Sequence, residues 1–385
     1  MKNETSISKT LPVLFGFLVV GFVDLVGIAT NYIKKDFFLS DSMANLLPMM
    51  VFLWFAIFSV PTGLLMNSIG RKKTVLLSVV ITLLATIIPL ISYNFVGMLV
   101  AFSLIGIGNT ILQVSINPLL SNVVSAEKLT SSLTLGQFIK AVAAFFGPVI
   151  SIFAASNLGS WKYIFPIYSG VAIISSVWLY FTMIEEHPSK DKNSSFADCY
   201  GLLKNKTILL LFLGIIFVVG IDVGLNTTVP KFLMERFNIP LEQAGLGSSL
   251  YFIARLSGTL IGAVLLIRVS GRKFLIMSMT TAIVAMSSLL LIYNLWAVLF
   301  LIFIVGFAIA NVFSIIFSIA LQKMPDHSNE VSGLMIMGIA GGAVILPVIG
   351  VVSDSIGQVG GMAVLLATMF YLFFSAFSIQ KVSDI

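Results

Sequence analysis

The chain has 385 residues, 58% of them hydrophobic and 10% charged, with a formal net charge of +6 and a mean hydropathy of +1.07. A soluble domain carries roughly 25% charged residues, so water cannot be the solvent for most of this surface. The single cysteine, Cys199, excludes an internal disulfide and a Cys-rich metal site; the scattered basic residues form no aromatic-interleaved face, which argues against nucleic acid.

A membrane-crossing helix needs roughly 20 apolar residues. In chain order, apolar stretches fall near 12–34, 43–66, 74–93, 96–120, 131–155 and 163–184, then near 208–231, 243–267, 274–292, 296–321, 330–353 and 359–380. This pattern predicts an all-α membrane protein with twelve transmembrane helices. The first stretch, Leu11 to Ile33, is too long for a signal-peptide core and has no small-residue cleavage site, so no cleavable signal is expected. Little chain remains for a soluble domain, which argues against a membrane-tethered enzyme.

Between the sixth and seventh stretches lies the longest polar segment, Glu185 to Lys206. The expected organisation is an N-terminal six-helix bundle over 1–184, a linker over 185–206 and a C-terminal six-helix bundle over 207–385. Fifteen Lys and Arg fall on one side of the membrane and five on the other if the termini share a side. By the positive-inside rule, both termini and the linker are then cytoplasmic. His187 and His327 sit in polar connections and read as solvated loop residues rather than metal ligands. Asn193-Ser194-Ser195 fits a glycosylation acceptor, but on the cytoplasmic side it reads as a chance match.

The halves echo one another. Gly70-Arg71-Lys72 follows the second stretch and Gly271-Arg272-Lys273 the eighth, while the first and seventh each carry a mid-depth aspartate, Asp24 and Asp222. Parallel halves of six helices are a known transporter plan, with the substrate site near the midplane. Gly258-x-x-x-Gly262 and Gly338-x-x-x-Gly342 read as packing devices. Gly106-Ile107-Gly108 lies inside an apolar stretch, where it cannot be a nucleotide loop.

At this point the chain resembles the major facilitator superfamily. Gly63, Gly70, Arg71 and Lys72 match its loop signature Gly-x-x-x-Asp-Arg-x-Gly-Arg-Arg/Lys, with Asn67 in place of the usual Asp and Ser68 in place of the basic residue. Finer matches are similar to the fucose permease-like, sugar:proton symporter branch. They include Leu112-Gln113-Val114-Ser115-Ile116-Asn117-Pro118, Leu135-Gly136-Gln137 with Phe146-Gly147-Pro148, Phe313 through Ala320, and Ser332-Gly333-Leu334-Met335-Ile336-Met337 with Gly341-Gly342-Ala343. The chain departs from that branch at Val26 and Gly27, where Asn-Asp is common, at Lys140 for Asn, and at Thr259 for Arg.

The resemblance implies proton-coupled uptake of a monosaccharide or sugar derivative by two bundles rocking about a midplane site. The partners implied are a sugar-like solute, protons and lipid, with no cofactor and a monomeric bacterial inner-membrane protein. An efflux antiporter for small amphipathic compounds is the alternative. A charge at a helix centre in a bilayer costs at least ~2.5–3.5 kcal/mol. By these spans four charges lie deep: Asp24 and Asp222 as proton-coupling candidates, with Lys140 and Arg255 as their charge partners. Either pair could instead be a static bridge that fixes helix packing, and Lys140 could meet an anionic group on the substrate. Gln113, Gln137, Asn31, Asn117, Asn226 and Asn311 supply donors and acceptors suited to a ring of hydroxyls. Their alternative is interhelical hydrogen bonding, and for Asn117 support of the backbone broken at Pro118. Gly63, Asn67, Gly70, Arg71 and Lys72 form the expected gating loop.

Overall fold

The computed structural model describes residues 7–186 and 194–378. His187, Asn193 and the intervening part of the linker lie outside the described residues. Among those described there are twelve helices long and apolar enough to cross a membrane and no β-strand. They are α1 (Ile7–Asp36), α2 (Asp41–Ile69), α3 (Arg71–Ile91), α4 (Phe95–Val123), α5 (Ala126–Asn157) and α6 (Trp161–Phe181), followed by α7 (Lys206–Phe237), α8 (Leu241–Leu265), α9 (Gly271–Leu291), α10 (Leu295–Lys323), α11 (Pro325–Ile356) and α12 (Gln358–Ser378). A short linker helix, Phe196–Gly201, precedes α7. The protein is an integral, multi-pass membrane protein. Large apolar side chains such as Phe300, Ile174 and Phe374 are more than half exposed on these helices, as a lipid-facing surface requires.

Two helices start earlier than the apolar pattern places them. α5 begins at Ala126 rather than near 131, and α11 at Pro325 rather than near 330. Both first turns are polar, with Glu127 in one and Asp326 in the other. Acidic side chains suit the positive end of a helix, so the helix continues where hydropathy has already stopped.

The repeat extends to capping. Asn94 accepts from the Gly97 amide at 2.8 Å to start α4, and Asn294 accepts from Ala297 at 3.0 Å to start α10. Gly159 before α6 and Gly357 before α12 both adopt φ of +80°, where a side chain would be strained.

Three helices are not continuous. α1 is interrupted by a 3-10 turn at Gly21–Leu25, α11 by another at Gly338–Gly341, and α10 by a turn at Ala310 and Asn311. Irregular backbone at membrane depth persists only where protein or a water-lined path supplies the missing partners.

Contacts divide the chain into two compact units. One holds the described residues up to Leu129, Gly136–Tyr200 and Met324–Met337; the other holds Thr130–Leu135, Gly201–Lys323 and the residues from Gly338 onward. In the first unit, Gly106 and Gly108 let α4 approach two different helices: a Cβ on Gly106 would stand 2.7 Å from the Val51 carbonyl of α2, and one on Gly108 would stand 3.1 Å from the Ser78 carbonyl of α3. In the second unit, Gly258 brings α8 against the Phe307 carbonyl of α10, where a Cβ would stand at 2.7 Å.

That last contact is backbone against backbone and cannot yield locally. Gly258→Val is expected to destabilise the protein by an overpacking cost of ~1–3 kcal/mol, read as a lower melting temperature in detergent. Gly170→Ala, where nothing lies within 4 Å of the added carbon, is the control and should leave melting unchanged. Equal melting of Gly258→Val and the parent would show that the α8–α10 seam is looser than described.

Candidate functional site

In the first unit the polar features gather around the break in α1. Asp24 sits inside the 3-10 turn and is exposed. One turn earlier, Gly21 lies against α5, close enough that a Cβ would meet the Lys140 carbonyl at 2.6 Å. The backbones bearing Asp24 and Lys140 are thereby held side by side, and Lys140 itself is partly buried. Behind the break runs a buried chain of amides. Gln113 donates from Nε2 to Asn109 Oδ1 at 2.7 Å, and Asn109 donates from Nδ2 to the Val20 carbonyl at 2.9 Å. Asn117 donates to the Gln113 carbonyl at 2.7 Å, leaving its Oδ1 buried without a hydrogen-bond partner. Gln137 is partly buried and Asn31 is exposed farther along α1.

In the second unit Asp222 of α7 is the centre. Both of its oxygens accept from Arg255 Nη1 of α8, at 2.6 and 2.7 Å, and Oδ1 also accepts from the Tyr251 hydroxyl at 2.6 Å. Tyr251 and Arg255 are four residues apart and so share a face of α8. Tyr251 is fully buried, whereas the side chains of Asp222 and Arg255 are 31% and 34% exposed. Asn226 follows Asp222 by one turn and is exposed. Asn311 lies elsewhere: it is buried in the α8–α10 seam beside Gly262, donates to the Gly258 carbonyl at 2.9 Å and holds its Oδ1 without a hydrogen-bond partner.

The expected gating loop packs against the start of α11, within the first unit. Gly63 and Gly333 let the two helices touch: a Cβ on the former would lie 2.8 Å from the Asn329 carbonyl, and one on the latter 2.8 Å from the Ser59 carbonyl. Asn67 donates to Glu330 Oε1 at 2.5 Å and accepts from Asn329 at 2.6 Å. Arg71 donates from Nε to Asn329 Oδ1 at 2.7 Å and from Nη1 to the Pro118 carbonyl at 3.0 Å, and it bonds Asn122 and Ser328 as well. Glu186 caps α3, accepting from the amides of Arg71 at 2.6 Å and Lys72 at 2.8 Å, beside Gly70 with its φ of +90°. Lys72 donates to the Tyr180 and Thr182 carbonyls at the end of α6, at 2.9 and 2.8 Å.

One sequence reading needs correction here. Glu330, at 2% exposure, is a buried charge outside the expected set, and it is more deeply buried than Asp24, Asp222, Lys140 or Arg255. It was hidden because α11 begins at Pro325, which carries the residue inside the helix rather than to its edge. Sequence reasoning also passed over Asn109, Ser332 and Tyr251. Tyr251 had a signal, its four-residue spacing from Arg255; Ser332 had another, since a proline in a facing helix strands a carbonyl.

A sequence model described as Major Facilitator Superfamily matches residues 13–347, and again residues 211–382. The chain is 25% identical over 365 residues to a protein of Brucella abortus biovar 1 named glucose/galactose transporter, covering 89% of this chain and 86% of that one. It is 27% identical over 188 residues to a hexuronate transporter of Bacillus subtilis, covering 47% of this chain and 43% of that one. The crystal structure of the E. coli fucose:proton symporter superposes with a TM-score of 0.84 at 16% identity, covering 98% of this chain and all of that one, a likeness of fold. Twelve spans, a repeated Gly-Arg-Lys turn and a family match across most of the length place the chain in the Major Facilitator Superfamily.

Proposed function

We propose that the protein is a proton-coupled secondary transporter that takes up a monosaccharide or sugar derivative by alternating access. The observation that carries this reading is Asp222, a carboxylate at mid-span, one-third exposed, held by one cation and one neutral hydroxyl. A proton on that carboxylate weakens the pair it forms with Arg255, so proton occupancy and the strength of that hold on the guanidinium are linked. Arg255 and Asn226 then meet the solute's hydroxyls. Asp24, exposed in the broken turn of α1, is the corresponding carboxylate of the first half. The relatives named for glucose/galactose and hexuronate transport support a sugar-like cargo. An exporter of amphipathic compounds would gain little from the polar row Asp222, Asn226 and Arg255.

The preference of Lys and Arg for one side, fifteen to five, supports cytoplasmic termini and a bacterial inner membrane. Each proton moved inward is then driven by ~2.3 kcal/mol per 100 mV. Lys140 supplies a cation where a neutral amide would serve an uncharged sugar, and it favours a cargo bearing a carboxylate.

Uptake into proteoliposomes of labelled sugars and sugar acids, with and without a pH gradient, tests this reading. Asp24→Asn is expected to abolish gradient-driven accumulation while exchange continues; normal accumulation by that variant would remove Asp24 from the coupling. Lys140→Asn should shift preference from sugar acids toward neutral sugars, measured as the ratio of their initial rates. Asp222→Asn removes this carboxylate from Arg255 and should destabilise the protein, read as a lower melting temperature, by less than the ~3–5 kcal/mol of a fully buried pair because both side chains reach solvent. Asp222→Asn/Arg255→Gln should recover that stability without recovering accumulation. Recovered accumulation in the double variant would mean that the pair only holds helices together.

A further inference from the structure

The segment Thr130–Leu135 of α5 belongs to the second unit, where it meets α8 and α10. Thr130 and Ser318 share a hydroxyl–hydroxyl bond of 2.7 Å, and Ser131 donates to the Ala263 carbonyl at 2.5 Å. Gln322, one turn farther along α10, donates to Ser318 at 2.9 Å. One turn deeper along the seam, the pairing stops. Thr134 is fully buried, Ser314 is 1% exposed and Asn311 is 2% exposed. Yet Thr134 Oγ1, Ser314 Oγ and Asn311 Oδ1 have no hydrogen-bond partner.

The three atoms come from one level of the seam. Successive spans alternate in direction, so α5 runs antiparallel to both α8 and α10. One turn forward from Thr130 on α5 is therefore level with one turn back from Ser318 on α10, which brings Thr134 opposite Ser314. Asn311 precedes Ser314 by three residues and shares its face of α10. It reaches Gly258 and Gly262 of α8, and Thr134, three residues on from Ser131, is level with the same stretch. Neither hydroxyl takes the outlet that others in this chain use. Thr62, Thr110, Ser115 and Thr259 each donate to the carbonyl four residues back in their own helix, and Thr134 and Ser314 do not. For Ser314 that carbonyl belongs to Ala310, where α10 is interrupted. The Asn311 amide cannot turn round, because its Nδ2 is needed at the Gly258 carbonyl.

We infer that Thr134, Ser314 and Asn311 form a buried binding site for one shared water molecule. The ligand follows from the chemistry of the three atoms. Water accepts from the two hydroxyls and donates to the amide oxygen, and about three such bonds are what a buried water makes. Left unpaired, each group would carry the desolvation cost of a buried polar atom. A cation would find no carboxylate among the three to balance its charge. The water bridges α5 to α10 beside Ala310 and Asn311, where the helix ladder of α10 is interrupted.

Two measurements on the purified full-length protein, with no solute present, test the site. Thr134→Val and Ser314→Ala each delete one hydroxyl with little change in shape. Each is expected to lower the melting temperature by about 2 °C. The double variant should lose less than the sum, because the water is shared. Hydroxyls that bind nothing give the opposite sign, since deleting an unpaired buried polar group raises melting or leaves it unchanged. X-ray radiolysis with mass spectrometry reads the water directly. Phe317, three residues from Ser314 and 1% exposed, should be oxidised by radicals formed on the bound water. Its rate should exceed several-fold those of Phe102 and Phe232, which are comparably buried, and the excess should vanish in the double variant. Unchanged or raised melting in the single variants, an additive double variant, or Phe317 labelled no faster than the other two overturns the site. Neither readout involves sugar uptake, so the site stands or falls apart from the transport reading.

Discussion

A carbonyl at membrane depth that loses its helical donor must find another within the protein, because lipid offers none. Much of the interior polarity described here follows from that demand. Pro118 strands the Val114 carbonyl, and the Ser332 hydroxyl comes to it from α11. The Val20 carbonyl, at the mouth of the broken turn in α1, takes the Asn109 amide. Asn109 is then oriented by Gln113, and the backbone of Gln113 by Asn117. Residues that would be read as a sugar-binding ring are therefore partly engaged in holding irregular backbone. The turn that carries Asp24 begins one residue after the carbonyl that this amide chain holds. Scaffold and site draw on the same short supply of side-chain donors.

The same scarcity explains the arrangement of charge. A carboxylate inside the bilayer needs a cation and as many donors as its oxygens can accept. Asp222 receives both from one face of α8, Arg255 for charge and Tyr251 for a further hydrogen bond. Tyr251 is wholly buried, while the acid and the guanidinium keep about a third of their surface open. A group fully enclosed by partners would be a fixed brace, and one with none would face an unaffordable desolvation. Partial exposure keeps the pair within reach of water, which the proposed coupling to a proton and a hydroxyl-bearing solute requires.

The spans, the even helix number and the repeated halves were legible because hydropathy over twenty residues is a strong signal. That Asp222 demands a cation also follows from burial alone. Glu330 was not legible, since hydropathy reports where an apolar run ends and says nothing of a polar helix start buried by its neighbours. Tyr251 was hidden among many aromatics, most of which face lipid or core. The break in α1 had a trace in Gly21 and Gly27, but glycine is common in membrane helices for packing, and the first of these does pack, against α5. Asn311 and Gln113 show the converse difficulty. Composition says that an amide is present without saying whether its donors face a solute or a carbonyl.

Repeated sequence does not carry repeated work. The Gly-Arg-Lys turn occurs in both halves, and in each a basic side chain caps the closing helix of its half. Lys72 does so at the Tyr180 and Thr182 carbonyls, and Arg272 at those of Ala376 and Phe377. Because the capping falls to the lysine in the first half, Arg71 is released for Asn122, Ser328 and Asn329. In the second half the arginine is consumed by the cap. A one-residue shift in which cation closes the bundle is thus enough to free a guanidinium in one unit and not in the other. That asymmetry is why the polar pins around Glu330 belong to the first unit, although the turn that supplies them is encoded twice.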